Sequence, residues 1–284
     1  MILFKKSADL HKWLDVQQKK GKNIGFAPTM GALHTGHISL VENSKKESDV
    51  TVSGIFVNPA QFNDPKDFQK YPVTLEKDIY MLEAAGCDIL FLPSVNEIYP
   101  DGANKKRHYE LDHLETILEG KFRPGHFQGV CMVVHRLLQI VTPDYLYLGQ
   151  KDYQQCMVIR KLIELIGLKD ITNIRVCATL RETDGLAMSS RNMRLNEKER
   201  KTAAVIYQSL NFIKTNLEKG ETTGLLNKAT RMLTEKGFRV DYVTIADAAD
   251  LSPVNKWDGS QSVVALVAAF MNEIRLIDNM LLNK

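Results

Sequence analysis

The stretch Pro28-Thr29-Met30-Gly31-Ala32-Leu33-His34-Thr35-Gly36-His37 constrains this chain more than any other. It follows a short apolar run, Ile24-Gly25-Phe26-Ala27, that reads as a buried strand. It precedes Ile38, Leu40, Val41 and Ser44, spaced as one face of a helix. The stretch is therefore a strand-to-helix turn. Gly31 and Gly36 are expected to give it tight or left-handed backbone. A helix starting near Gly36 points N–H groups and the positive end of its dipole into the turn, which favours a phosphate. His34 and His37, three apart, fall on one side of the first helical turn and add ring-nitrogen donors. Alone, a His-x-x-His pair is a common surface feature. Inside such a turn it reads as an anion site that lacks the lysine of a P-loop. Zinc needs a third and usually a fourth ligand, and no neighbouring Cys or acidic cluster offers them.

Strands and helices then alternate. Leu10, Trp13, Leu14 and Gln17 predict a helix over 7–20, capped by Ser7 or Asp9. Residues 49–57 are too continuously apolar for a half-exposed edge and predict a strand. Asn58-Pro59-Ala60-Gln61-Phe62 ends it, either as an ordinary turn or as a ligand loop at a strand's carboxyl end. Residues 63–73, polar with two prolines, predict a mobile loop. Thr74 is expected to cap a helix to about Ala85, and strands are expected at 88–92, 145–148 and 171–176. Residues 101–110 read as a charged, solvated excursion, 114–118 as a helical turn and 130–141 as an apolar helix. This rhythm predicts an α/β, Rossmann-like doubly wound parallel sheet.

A second junction resembles the first. Gly149-Gln150-Lys151-Asp152 follows a strand and opens a helix, and Gln155 lies one turn beyond Lys151. A lysine at a helix start opposes the dipole. It is either a solvated surface residue or one that an anion would balance. Residues 181–192 are polar and small without apolar periodicity, and read as a linker or a donor-rich loop. Beyond them helices at 197–217 and 223–236 and strands at 240–246, 263–271 and 274–277 show no βαβ alternation. The expected division is a domain of residues 1–180 and a smaller α+β domain of residues 181–284.

A chain of 284 residues, 44% hydrophobic and 25% charged, has the make-up of a soluble globular protein. Its net charge of +3 gives no basic face or tail of the kind that holds tRNA, so no nucleic-acid partner is expected. The longest apolar run, 263–271, is far short of the roughly 20 residues of a membrane span. The opening Met-Ile-Leu-Phe-Lys-Lys is read as no signal peptide. Cys87, Cys131, Cys156 and Cys177 are scattered among apolar residues, as buried free thiols of a cytoplasmic protein would be.

His34-Thr-Gly-His37 resembles the "HIGH" signature of the nucleotidylyltransferase and class I aminoacyl-tRNA synthetase superfamily, and the longer string resembles the pantothenate synthetase family. So do Phe56-Val-Asn-Pro-x-Gln-Phe62, Tyr71-Pro72, Leu118-Glu-Gly120, Arg123-Pro-x-His-Phe-x-Gly129, Gly149-x-Lys-Asp-x-Gln-Gln155 and Asp184-Gly-Leu-Ala-Met-Ser-Ser-Arg-Asn192, in the family's order. Met188 to Arg191 occupy the place of the superfamily's "KMSKS" loop. Ala178 departs from the proline of many members.

The resemblance implies that His34, His37 and Lys151 are catalytic. It implies nucleotide contacts from Met30, Gly31, Ala32, Leu33, His34, Thr35, Gly36 and His37, and from Gly149, Gln150, Lys151 and Asp152. Leu180, Leu186, Ala187, Met188, Ser189, Ser190 and Arg191 complete that set. Gln61 and Gln155 would hold pantoate, with Asn58, Arg123 and Glu119 near the site. The implied reaction has two steps: pantoate displaces pyrophosphate from ATP to give pantoyl adenylate, and β-alanine then displaces AMP to give pantothenate. Mg²⁺ on the triphosphate and a homodimer formed through the first domain are implied with it. A carboxylate with a pKa near 4 is ionised at neutral pH. The first step therefore needs positioning and charge neutralisation, not a base. No base is evident for the second. A loop at 181–192 on a separate domain implies closing over ATP. Rival readings are another adenylyltransferase of the superfamily, such as one using nicotinamide mononucleotide, a tRNA synthetase relic, and a non-catalytic binding protein.

Overall fold

The computed structural model describes residues 1–102 and 107–283. Residues 103–106, within the expected solvated excursion, lie outside the described residues. In chain order the first compact region holds β1 (Ile2–Phe4), α1 (Ser7–Lys19), β2 (Ile24–Thr29), α2 (Thr35–Glu47), β3 (Val50–Ile55), α3 (Pro65–Gln69), α4 (Leu75–Ala84), β4 (Ile89–Phe91) and α5 (Val95–Ile98). It continues through α6 (Leu118–Phe122), α7 (His126–Val141), β5 (Tyr145–Gly149), α8 (Tyr153–Leu165) and β6 (Asn173–Cys177). The remainder holds α9 (Glu197–Ala203), α10 (Val205–Asn216), β7 (Gly220–Glu221), α11 (Thr223–Thr234), β8 (Arg239–Asp247), β9 (Lys256–Trp257), β10 (Val263–Met271) and β11 (Ile274–Leu281).

Two compact units result: residues 1–149 with 155–178, and residues 150–154 with 179–284. Among the described residues of the first unit, six strands form a parallel sheet in the order β1-β4-β3-β2-β5-β6. The order reverses between β2 and β5, the place where such sheets bind ligands outside the strands' carboxyl ends. All of β3 and residues 24–27 of β2 are buried, as strands covered on both faces are, and β3 includes the buried hydroxyls of Thr51 and Ser53. Helices α2 and α4 close over Ala27, Leu40, Val41, Leu82, Leu90 and Tyr147. Each fully buried leucine there contributes on the order of 2 kcal/mol. The second unit packs α10 and α11 on an antiparallel sheet, β11-β10-β8, around Ile206, Leu210, Ala229, Leu233, Ala265 and Val267. No helix among the described residues is long and apolar enough to cross a membrane.

Several local expectations change. β1 was not foreseen: Ile2 and Leu3 are 46% and 42% exposed, and only pairing with β4 makes the segment a strand. Neither Ser7 nor Asp9 caps α1. Lys6 precedes the helix, and the Ser7 hydroxyl donates to Glu97 Oε1 at 2.5 Å. The expected mobile loop at 63–73 is folded: Asp64 caps α3 at the Lys66 amide, and Phe62 packs edge-on against Phe68 and Tyr71. The helix over 197–217 is two helices meeting at Ala204. β11 runs past Ile277 because Asp278 and Asn279 still pair with Val267 and Leu266. Cys87 and Cys131, pushed up to about 11 and about 12 by burial, are protonated packing groups at neutral pH, and Cys177 is only partly buried.

Candidate active site

The turn after β2 is shaped by hydrogen bonds that the sequence did not disclose. The Thr29 hydroxyl donates to the Gly54 carbonyl at 2.8 Å and accepts from the Gly31 amide at 3.2 Å. The next two amides, of Ala32 and Leu33, donate to Asp78 Oδ2 and Oδ1 at 2.9 and 2.8 Å. Asp78 is 1% exposed and also accepts from the Thr74 hydroxyl at 2.9 Å, so Thr74 stands at the N-cap position of α4 as expected while its hydroxyl serves this carboxylate instead of the helix amides. Gly31 takes the left-handed conformation at φ 78°, and Ala32 follows at φ 49°. Gly36 does not: it lies within α2, whose helical geometry any residue adopts.

His34 precedes α2 in extended conformation, and its ring stacks on that of His37 with centroids 4.0 Å apart and planes 29° from parallel. The first turn of α2 carries no acidic residue to offset the dipole. Two stacked imidazoles at a helix N-terminus whose first turn holds no acid form a donor surface suited to an anion.

The same unit joins Gln61 to this turn. Gln61 Nε2 donates to Met30 Sδ at 3.1 Å. Its Oε1 accepts from Asn58 Nδ2 at 3.0 Å. Asn58 is buried and committed on every side: its amide also donates to the Gly129 carbonyl, and its Oδ1 accepts from the Tyr99 hydroxyl and the Ala60 amide. Burial pushes the Tyr99 hydroxyl upward in pKa, so it stays a donor. Gly129 on α7 lies against this loop, and a Cβ there would sit 2.1 Å from the Ala60 carbonyl oxygen.

Arg123 reaches the loop through His126. His126 Nδ1 lies 2.8 Å from the Gln61 carbonyl oxygen and Nε2 lies 3.0 Å from Arg123 Nη1. The carbonyl only accepts and the guanidinium only donates, so Nδ1 carries the hydrogen and Nε2 accepts. Glu119 Oε2 stands 3.6 Å from Arg123 Nη1. Met30, Gln61, Asn58 and Arg123 are thus brought together within the first unit. Asp78 and His126 were not singled out from the sequence. An acid in the first turn of a helix reads as a solvated residue, and only the fold shows that Asp78 serves amides 45 and 46 residues earlier.

In the second unit, Gln150 to Asp152 form a 3₁₀ turn that leads into α8. The Lys151 side chain is 18% exposed, with Nζ 3.6 Å from Asp152 Oδ1. Gln155, in α8, belongs to the first unit, as does Gly149 at the end of β5. Residues 180–188 are no linker. Arg181 and Ala187 form an antiparallel bridge. The Glu182 amide donates to the Leu186 carbonyl and the Met188 amide to the Leu180 carbonyl. Leu186 and Ala187 are buried, whereas Leu180 is exposed. Ser189 Oγ accepts from the Arg191 amide at 3.3 Å and caps the 3₁₀ segment Ser190–Arg194, in which Ser190 is buried. Asp184 accepts from both Arg200 nitrogens at 2.6 and 3.2 Å, and that guanidinium holds its carboxyl below the usual range.

The family model for pantoate-beta-alanine ligase matches residues 2–281. The chain belongs to the pantoate–β-alanine ligase family. It is similar to the pantothenate synthetase of Phocaeicola vulgatus, at 42% identity over 283 residues and 98% of each chain. Likewise, it is 44% identical over 276 residues to that of Caldicellulosiruptor saccharolyticus, covering 95% of this chain and 96% of the other. Among solved structures, pantothenate synthetase from Thermus thermophilus superposes over 100% of both chains with a TM-score of 0.90 at 37% identity. Pantoate-beta-alanine ligase from Francisella tularensis, complexed with beta-gamma ATP and beta-alanine, superposes over 100% of this chain and 98% of the other with a TM-score of 0.84 at 39% identity. Membership of this family makes the chain a ligase that joins pantoate to β-alanine as pantothenate.

Proposed function

We propose that the chain condenses pantoate with β-alanine through a pantoyl adenylate formed from ATP. The stacked His34–His37 pair at the N-terminus of α2 carries the proposal, because preorganised donors at a helix N-terminus suit developing phosphoryl charge. The pantoate carboxylate attacks the α-phosphorus and pyrophosphate leaves. The neutral amine of β-alanine then attacks the acyl carbon and AMP leaves. His34, His37, Lys151, Ser189 and Arg191 are assigned to the phosphates. The backbone of residues 30–36 and 149–152, with Leu180 and residues 186–190, is assigned to the rest of the nucleotide. Gln61 and Gln155 are assigned to pantoate. Asn58 and Arg123 act on that subsite by holding Gln61: Asn58 through its side chain, Arg123 through His126.

Mg²⁺ enters as the counter-ion of ATP, held by phosphate oxygens and water. Among the described residues no group of three or more His, Cys, Asp or Glu is arranged to hold a metal. A homodimer in the cytoplasm completes the reading, supported by family resemblance and by four free cysteines. Exchange of labelled pyrophosphate into ATP tests the chemistry. Exchange should require pantoate and not β-alanine. Exchange driven by nicotinamide mononucleotide or amino acids, or none with pantoate, would overturn it. Light scattering at micromolar concentration should return twice the chain mass.

A further inference from the structure

Two stretches assigned above to the nucleotide, the turn at 150–152 and the hairpin at 180–188, meet at one place on β11. Asp278 and Asn279 are adjacent polar residues, 3% and 2% exposed, in a strand whose sheet buries mainly apolar side chains. Asn279 faces the lysine turn. Its Nδ2 donates to the carbonyls of Gln150 and Lys151 at 2.9 and 2.8 Å, and its Oδ1 accepts from Gln150 Nε2 at 3.3 Å. Asp278 faces the hairpin. Its Oδ2 and Oδ1 accept from Arg181 Nη1 and Nη2 at 2.6 and 3.1 Å. Arg181 donates further to the carbonyls of Gly185 and Asn279, both at 3.1 Å, and lies over the Tyr207 ring.

A buried ion pair and a buried amide are poor ways to hold a sheet, because well-packed apolar residues of similar volume do it as well or better. What a fork on a carboxylate and a bridging amide do supply is direction, since each fixes two partner atoms at once. One partner is the turn that carries Lys151, and the other is the hairpin that leads directly into Ser189 and Arg191, all three assigned to phosphate. We propose that Asp278 and Asn279 are positioning residues for the adenylation step. Asn279 fixes the backbone from which Lys151 projects. Asp278, through Arg181, fixes the hairpin that leads to Ser189 and Arg191. One pair of adjacent residues therefore sets the two phosphate-binding stretches of the second unit relative to each other. The inference rests on the assignment of Lys151 and residues 186–191 to ATP.

The test uses the full chain carrying Asn279→Ala, Asn279→Asp or Asp278→Asn, assayed by pyrophosphate exchange at varied ATP and varied pantoate, with melting temperature measured alongside. Displacing a binding group by about 1 Å costs on the order of 100-fold, so kcat/KM for ATP should fall about 10–100-fold. The KM values for pantoate and β-alanine should stay unchanged. Asn279→Ser, which keeps one donor at lower bulk, should fall between and serves where Asn279→Asp does not fold. Asp241→Asn is the comparison for a purely structural loss. It breaks the 2.8 Å pair with Arg275 in the same sheet and should lower the melting temperature without altering ATP dependence. Variants at 278 and 279 that melt early but keep normal ATP kinetics would overturn the positioning role. Lys151→Ala separates the two failures. Normal exchange in Lys151→Ala overturns the nucleotide assignment itself, while an inactive Lys151→Ala beside normal Asn279 variants overturns only the positioning.

Discussion

The turn after β2 and the turn after β5 both leave the carboxyl end of a parallel strand; a buried carboxylate, Asp78, holds the first, and a buried amide, Asn279, beside the buried carboxylate Asp278, holds the second. The donors to those carboxylates differ. Asp78 gathers two backbone amides and a hydroxyl, all neutral, from a helix 45 residues along the chain. Asp278 gathers a guanidinium, and its neighbour Asn279 gathers the turn. Neutral donors hold a single backbone bend tightly. A long charged side chain lets the Asp278 carboxylate hold the hairpin at a distance, at the risk of stranding a cation if the carboxylate is lost. Evenly matched demands on geometry are thus met with unequal electrostatic stakes.

The largest expected effect measures those stakes directly. Asp278→Asn should cost about 3–5 kcal/mol in urea unfolding, because the Arg181 charge is left without its partner. Asp78→Asn should cost only about 1–3 kcal/mol, the penalty of one amide left facing an amide. The reverse order would break the comparison. At the level of chemistry the two turns should be equals. His37→Ala and Lys151→Ala should each slow pyrophosphate exchange by about 10²–10³-fold. Lys151→Arg should rescue poorly, since a planar fork does not replace a point charge. If either alanine variant exchanges normally, the turn that carries it does not serve the phosphates.

A smaller effect sharpens the first unit. Gln61→Ala and Gln155→Ala should raise the KM for pantoate about tenfold, as for a lost hydrogen bond, with the KM for ATP little changed. Asn58→Ala should raise the KM for pantoate as Gln61→Ala does, because it releases the Gln61 amide, and should also lower the melting temperature, because the bonds to Gly129, Ala60 and Tyr99 are lost. Equal effects on both substrates would remove pantoate from this loop. The smallest effect lies in the hairpin. Arg200 holds the Asp184 carboxyl below its usual range, so this pair stabilises the fold at pH values above the unfolded carboxyl pKa of about 3.9. Its contribution is lost as pH falls through the lower, folded value. The melting difference between the wild type and Asp184→Asn should be constant from neutral pH to about 5 and vanish in stronger acid. A difference that persists at the acid limit would sink the assignment.

Much of the parallel sheet could be read in advance, because buried parallel strands are apolar on both faces and the histidine turn sits between a run of that kind and a helical stripe. β1 could not, since three half-exposed residues become a strand only by pairing with β4. The side chains proposed to present chemistry, His34, His37, Lys151 and Gln61, are of types that announce donors. Those that hold them in place are ordinary. Asp78 looks like a solvated acid at a helix start, and Asp278-Asn279 look like the polar end of a strand. Their roles are set by partners 45 to 129 residues away, which no local pattern encodes.

The spacing of these partners also fixes an order of assembly. The histidine turn has its carboxylate once the chain has been made as far as residue 78. The lysine turn must wait for Asn279, 128 residues after Lys151. At roughly 5–20 residues per second of synthesis, that delay is roughly 6–25 s. During it the nascent first unit already has a complete histidine turn, while Lys151 stands on a bend that nothing yet holds. The bend that carries Lys151 therefore gains its Asn279 bonds only after β11 has paired into its sheet.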